Sequence, residues 1–418
     1  MRQAKLTAIL GLSWGDEGKG KLVDILAEQA DFVARFGGGA NAGHTIQAQQ
    51  RKIILHQLPS GVLRAKTQLI IGAGCVVHLP TLFEELAALE KLDFNLNERL
   101  KISERATLLL DFHKELEEVS SWTKKIGTTK RGIGPAYVDR VQRTSFRVGD
   151  LLDFPNFAQE LRERLTQFNK KAQRKFNPSQ EIAFYQDALE RLSGMITDTS
   201  QLLQQAQRAG KKILVEGAQG SLLDLDFGTY PFVTSSTTTA AGIFSGLGLP
   251  PQRVETIGVL KAYSTRVGAG PFPTELQDQL GERLQRLGQE FGATTGRPRR
   301  TGWLDLVATK FAVDLNGIQS LNLTKLDVLS TLPEIKVCTG YELKGQKITH
   351  FPARTQLLAQ VRPIYKSFPG FKKPISKVRK IAQLPVPAQN YLRFIEKFLK
   401  VPIRFVGVGG RRDELARG

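Results

Sequence analysis

Leu6-Thr-Ala-Ile-Leu-Gly-Leu12 runs through Ser13 into Trp14-Gly-Asp-Glu-Gly-Lys-Gly-Lys21, and a helical pattern from Lys21 to Ala30 follows directly. An apolar run emptying into a glycine-rich turn and then a helix predicts a strand, a loop of inward-facing N–H groups and a helix N-terminus, which together form an anion site. The lysine adds a point charge for phosphate, and the aspartate can act as a metal ligand or a base. The spacing is not that of the standard phosphate loop. Six residues separate Gly11 from Gly18-Lys19 rather than four, and Gly20 stands where a metal-binding Ser or Thr is expected.

Outward from this turn, Val/Ile/Leu-rich runs alternate with helical patterns. Strands are expected at Phe32–Phe36, Ile53–Leu55, Leu69–Ile71, Ile213–Val215, Thr256–Leu260, Leu321–Leu323 and Ile403–Val406. Helices are expected at Leu79–Leu89, Asn156–Asn169, Gln180–Ala206 and Leu304–Asn316. The alternation predicts an α/β fold with a largely parallel central sheet flanked by helices. One interleaved domain over 1–418 is expected, with a helical insertion at about 155–210.

The chain has 418 residues, 41% hydrophobic and 24% charged, which suits a large folded core rather than disorder. Two cysteines, Cys75 and Cys338, give neither a disulfide framework nor a metal spacing. Arg2 and Lys5 before an apolar run faintly resemble a leader, but no small-residue cleavage site follows. No apolar segment approaches the roughly 18 residues needed to span a bilayer, so a cytoplasmic protein without a membrane partner is expected. The formal charge of +19 fits anionic substrates or a basic surface. Much of the excess lies in Lys366–Lys380, which reads as a basic surface loop, and no aromatic-interleaved motif points to nucleic acid.

Further stretches carry polar groups among glycines. Gly37-Gly-Gly-Ala-Asn-Ala-Gly-His-Thr45 lets backbone approach a ligand and presents Asn41, His44 and Thr45. His56, His78, His113 and His350 lack such a setting and read as structural. Ile126–Pro135, Glu216–Gly220 and the hydroxyl run Thr234–Thr239 are loop-like. Ala293-Thr-Thr-Gly-Arg-Pro-Arg-Arg300 suits a bidentate grip on carboxylate or phosphate. Thr324-Lys-Leu-Asp327 is close to the Asn-Lys-x-Asp guanine reader, in which a carboxylate accepts from N1–H and the 2-amino group.

Together with Lys261–Pro271, these stretches resemble, in order and spacing, the adenylosuccinate synthetase family, over essentially the whole chain. The resemblance implies a GTP-dependent ligase that joins IMP and L-aspartate through a 6-phosphoryl-IMP intermediate, with Mg²⁺ and as a homodimer. By position, Asp16 would be the base and, with the Gly43 carbonyl, a metal ligand. His44 would be the acid, with Lys19 and Gln219 completing the catalytic set. The nucleotide would be held by Gly15, Asp16, Glu17, Gly18, Lys19, Gly20 and Lys21, and by Gly43, His44, Thr45 and Arg299. Lys325, Leu326, Asp327, Gly407, Val408 and Gly409 would line its guanine side. Asn41, Ala42, Thr129, Gln219, Thr234 and Arg297 would hold IMP, with Arg143 reaching it from the neighbouring subunit. Ala293, Thr294, Thr295, Gly296, Arg297 and Arg299 would form a mobile aspartate loop. Four departures from the family pattern stand out: Ala40, Lys130, Thr237 and the run Gly407-Val408-Gly409-Gly410. A GTP-binding switch without ligase chemistry is the alternative, although it leaves Asn41–Thr45 and Ala293–Arg300 without a task.

Overall fold

A computed structural model describes residues 6–48, 51–292 and 296–418. Its centre is a ten-stranded sheet. In chain order the strands are β1 (Leu6–Gly11), β2 (Phe32–Arg35), β3 (Gln68–Ile71), β4 (Leu100–Ser103), β5 (Ile196–Thr197), β6 (Ile213–Glu216), β7 (Glu255–Lys261), β8 (Ser320–Thr324), β9 (Ile403–Gly407) and β10 (Leu415–Arg417). Their spatial order is β10-β9-β8-β7-β1-β6-β2-β3-β4-β5. All neighbours are parallel except β10, which runs antiparallel to β9.

β1 is apolar apart from the half-buried Thr7, because both faces of a parallel sheet are covered. Leu6, Ala8 and Leu10 enter one core and Ile9 the other. The chain leaves β1 toward β6 and β2 on one side and fills β7, β8 and β9 on the other. That reversal puts a crevice at the C-terminal ends of the central strands, where open α/β sheets bind ligands. Helix α1 (Lys19–Leu26) starts there, with a tail of 3₁₀ helix at Ala27–Gln29 rather than continuous α-helix to Ala30.

Four further expectations need correction. Gln180–Ala206 is two helices, Pro178–Leu192 and Thr199–Arg208, with β5 between them. The Asp198 side chain restarts helical structure by accepting from the Ser200 and Gln201 N–H groups, a local cap that an apolar period does not display. Leu304 and Asp305 are a short strand, and the helix runs Leu306–Asn316 with Asp305 as its cap. Lys366–Lys380 is not all loop: Arg362–Pro369 pairs antiparallel with Glu334–Leu343. Its prolines and charges suit an edge strand and hide the strand period. Ile53–Leu55 is a strand, but it belongs to a hairpin of His44–Ala48 with Arg51–Leu55, outside the main sheet.

Candidate active site

The turn after β1 is built around Glu17, whose side chain is buried. Oε1 accepts from the N–H groups of Ser13 and Gly15, both at 3.0 Å, and Oε2 accepts from Lys19 Nζ at 2.7 Å. Gly15, Asp16 and Gly18 take left-handed backbone, with φ of 83°, 61° and 90°. Lys19 Nζ also donates to the Gln219 carbonyl, which leaves one ammonium proton for a ligand. Gly20 has a packing reason: a Cβ there would meet His44 Cβ and Ser60 Oγ at 3.1 Å, so α1 can lie close against the hairpin only without a side chain.

Asp16 points into the crevice, and its Oδ2 lies 2.7 Å from Arg299 Nε. Arg299 is anchored by a carboxylate that sequence reasoning missed. Glu290, buried on an otherwise unremarked segment, accepts from Arg299 Nη1 at 2.6 Å, Lys261 Nζ at 2.8 Å and Tyr263 Oη at 2.5 Å. Burial alone would raise the Glu290 carboxyl, but the charges of Lys261, Lys325 and Arg299 bring it down to about 2.

Across the crevice, His44 Nδ1 meets Glu216 Oε1 at the end of β6. Burial draws the imidazole below its ordinary range against the pull of Glu216. Gln219, at φ 54°, donates from Nε2 to Asn41 Oδ1 at 3.1 Å. Gly38 N–H donates to Tyr137 Oη at 3.1 Å, and that hydroxyl donates to the Gly74 carbonyl, which pins the second glycine loop from below. In the hydroxyl loop, Thr128 Oγ1 is buried without a partner and its carbonyl accepts from Arg297 Nη1 at 3.4 Å. Lys130 adopts φ 56°, a conformation in which glycine is favoured.

At the far end, Thr324 Oγ1 donates to the Glu17 carbonyl at 2.7 Å, and Lys325 Nζ to that of Gly288 at 2.7 Å. Lys21 Nζ donates at 2.8 Å to the carbonyls of both Gly409 and Glu414. Burial lowers this ammonium to about 8, against the nearby Glu414 and Asp327. Arg412 grips Asp24 of α1 through two bonds of 2.6 and 2.8 Å. The C-terminal glycine run is thus tied to α1 by side chains on both partners. Asp327 keeps one carboxylate oxygen buried without a partner, and burial raises its carboxyl against Lys325 and Lys21.

These parts enclose one cavity of about 720 Å³. Its lining includes Gly15, Asp16, Glu17, Gly18, Lys19, Gly20, Lys21, Asn41, Ala42, Gly43, His44, Thr45, Thr129, Gln219, Thr234, Arg299, Lys325, Gly407 and Gly409. Gly296, Arg297, Leu326, Asp327 and Val408 do not line it; Leu326 and Val408 are core residues. Arg143 also lies outside the lining, exposed at the left-handed end of the helix Ile133–Gln142. Ala293, Thr294 and Thr295 fall outside the described residues. Asn322, Gln289, Phe291 and Arg412 contribute to the wall although no motif marked them. Among the described residues, no helix is long and apolar enough to cross a membrane.

Comparison with known proteins adds a second line of observation. The family model described as adenylosuccinate synthetase matches residues 8–416. The adenylosuccinate synthetase of Schizosaccharomyces pombe is 47% identical, over 98% of this chain and 96% of its own. The chloroplastic one of Chlamydomonas reinhardtii is 48% identical, over 98% and 91%. The fully ligated adenylosuccinate synthetase from Plasmodium falciparum superposes with a TM-score of 0.94 at 39% identity, covering 99% of this chain and 100% of that one. A cyanophage S-2L succinoaminodeoxyadenylate synthetase shares the fold alone, at 19% identity and a TM-score of 0.64 over 98% and 94%.

Proposed function

The chain belongs to the adenylosuccinate synthetase family, and from that premise we propose that it joins IMP and L-aspartate into adenylosuccinate, converting GTP to GDP and phosphate. One observation carries the reading. The phosphate loop, the Asn41–Gln219 pair and the Thr324–Lys325 corner all open on the same cavity. A nucleotide whose base lies toward Lys325 therefore directs its phosphates at a purine held by Asn41 and Gln219. Asp327 does not itself line the cavity, but it stands two residues from Lys325, which does, and its unpartnered oxygen supports a guanine base, whose N1–H and 2-amino group supply donors that adenine lacks.

A lactam oxygen leaves poorly, so it has to be activated before an amine can replace it. Asp16 removes the N1 proton, the charge moves to O6, and O6 attacks the γ-phosphorus as GDP departs. Lys19 and His44 meet the charge that spreads over the transferred group. The aspartate amine then adds at C6 of 6-phosphoryl-IMP, and phosphate leaves with the former O6 and takes up the proton that the amine gives up. Gln219 and Asn41 orient the purine, with Thr129 and Thr234 beside it. Residues 293–299 grip the aspartate carboxylates, which requires Arg299 to leave Asp16.

The residues present fit Mg²⁺. Asp16 and Gly43 both line the cavity and would hold the ion through a carboxylate and a backbone carbonyl, and among the described residues no cluster of three acids or histidines competes with them. That is the sparse donor set Mg²⁺ uses when phosphates and water complete its shell. Bound there, it would neutralise phosphate charge. A homodimer is supported by the helix Ile133–Gln142, which exposes Val138 (53%) and Val141 (80%) beside Arg143. A cytoplasmic location remains part of the reading.

The test is an absorbance assay of adenylosuccinate formation with IMP, GTP, aspartate and Mg²⁺ omitted in turn, and with dGMP or ATP as replacements. Product is expected only with the full set. Asp16→Asn is expected to lower turnover by about 10²- to 10⁴-fold while GTP still binds. GTP hydrolysis independent of IMP and aspartate would favour the switch reading instead.

A further inference from the structure

Glu216 has no task in the mechanism above, yet its surroundings are specific. It ends β6 between Ile9 of β1 and Arg35 of β2, is fully buried, and uses both carboxylate oxygens. Oε1 meets His44 Nδ1 and accepts from Ser60 Oγ at 2.5 Å. Oε2 accepts from the Ser60 N–H at 2.7 Å. Arg35, also buried, donates from Nη1 to the His56 carbonyl, while its Nε and Nη2 have no partner. Its charge favours an ionised Glu216 without a direct bond.

Burying a carboxylate in the middle of a sheet is costly unless its charge and lone pairs are answered. Here they are answered by one serine and one imidazole, and the imidazole lines the cavity. Of the two ring nitrogens only Nδ1 is engaged, so Nε2 is the one left for a ligand. A carboxylate on one ring nitrogen fixes both the ring plane and the nitrogen that carries the shared proton. Strand ends hold such groups more firmly than loops do.

We propose that Glu216 is the positioning residue for His44: together with Ser60 it accepts from Nδ1–H and holds the imidazole so that the second ring N–H, on Nε2, donates to the transferred phosphoryl group. This rests on the role given to His44 above. Ser60 acts one step further back, by leaving Glu216 a single carboxylate orientation.

The experiment is a double-mutant cycle on the full chain. Glu216→Gln is expected to lower kcat by about 10- to 100-fold, with KM for IMP, GTP and aspartate unchanged within about twofold. Added to His44→Asn, it is expected to lower kcat no further, because the group it positions is gone. Equal losses in the two backgrounds, or a loss confined to KM, would overturn the proposal. If Glu216→Gln does not fold, Ser60→Ala takes its place in the same cycle with the same criteria. Independently of turnover, ¹⁵N NMR of the wild-type His44 ring is expected to show a protonated Nδ1, and an unprotonated Nδ1 would also overturn it. A His44→Asn enzyme with wild-type turnover would remove the role of His44 itself, and the proposal with it.

Discussion

Replacing Glu290 by glutamine isolates the anchor beneath Arg299. The change keeps shape but removes the carboxylate that faces both Lys261, at 2.8 Å, and Arg299, at 2.6 Å. Two cations then share a buried space without their common anion. Breaking a buried pair in this way typically costs about 3–5 kcal/mol. A second route gives a similar size. The carboxyl lies at about 2 against an ordinary 4.5, and at about 1.36 kcal/mol per unit this corresponds to about 3 kcal/mol. The sign follows from the depression: the contribution is complete above pH 4.5 and is lost as pH falls toward 2. Urea unfolding followed by tryptophan fluorescence at pH 7 is the assay, with the slope of the transition required to match wild type. Glu290→Gln is expected to lose about 3–5 kcal/mol, and the difference from wild type should shrink progressively below pH 4.5. A loss under about 1 kcal/mol at pH 7 would refute the argument, because Arg299 would then need no buried carboxylate.

Other outcomes follow from single contacts. Lys130→Gly, at φ 56°, is expected to change stability by no more than about 1 kcal/mol in the stabilising direction, as relief of backbone strain is offset by a more flexible unfolded chain. Lys130→Val is expected to destabilise by about 1–2 kcal/mol in the same denaturation assay, since a branched side chain tolerates that conformation poorly. Lys21, lowered to about 8, ties α1 to the turn at 407–414, and bound triphosphate would raise it again. Tight binding therefore belongs to the protonated form, so kcat/KM for GTP is expected to fall as pH rises through about 8, and Lys21→Arg to remove that step. Asp327→Asn is expected to raise KM for GTP by about 10-fold or more but to affect inosine triphosphate, which lacks the 2-amino group, far less; equal losses would argue against guanine reading.

The sheet was legible because its central strands are buried along nearly their whole length and carry short Val/Ile/Leu-rich runs, as Leu6–Gly11, Glu255–Lys261 and Ser320–Thr324 show. The strand Arg362–Pro369 was not, because an exposed edge keeps polar and proline residues that erase the period. Site residues on glycine-rich turns were visible for a related reason: local chain geometry marks them. Glu290 and Ser60 were invisible because their meaning is a contact. Glu290 serves a cation pair drawn from 29 and 9 residues away, and Ser60 serves a carboxylate 156 residues distant. A window of sequence holds at most Arg299, and no local pattern marks its pairing with Glu290.

Glycine itself shows where local reading goes astray. Read along the chain, the glycines after β1 and β6 suggest backbone making room for a ligand. Gly11 and Gly220 do something else: a Cβ on either would run into the carboxylate of Glu17. Their bareness lets an acid fold under the loop, where it gathers the N–H groups of Ser13 and Gly15 and the ammonium of Lys19. An acid exposed at that position would repel phosphate; buried, it rigidifies the loop and leaves the remaining donors facing the cavity. The six-residue gap that departs from the standard phosphate loop is therefore the length needed to return Glu17 beneath its own turn, and Asp16 is presented to the substrate because its neighbour is turned away from it.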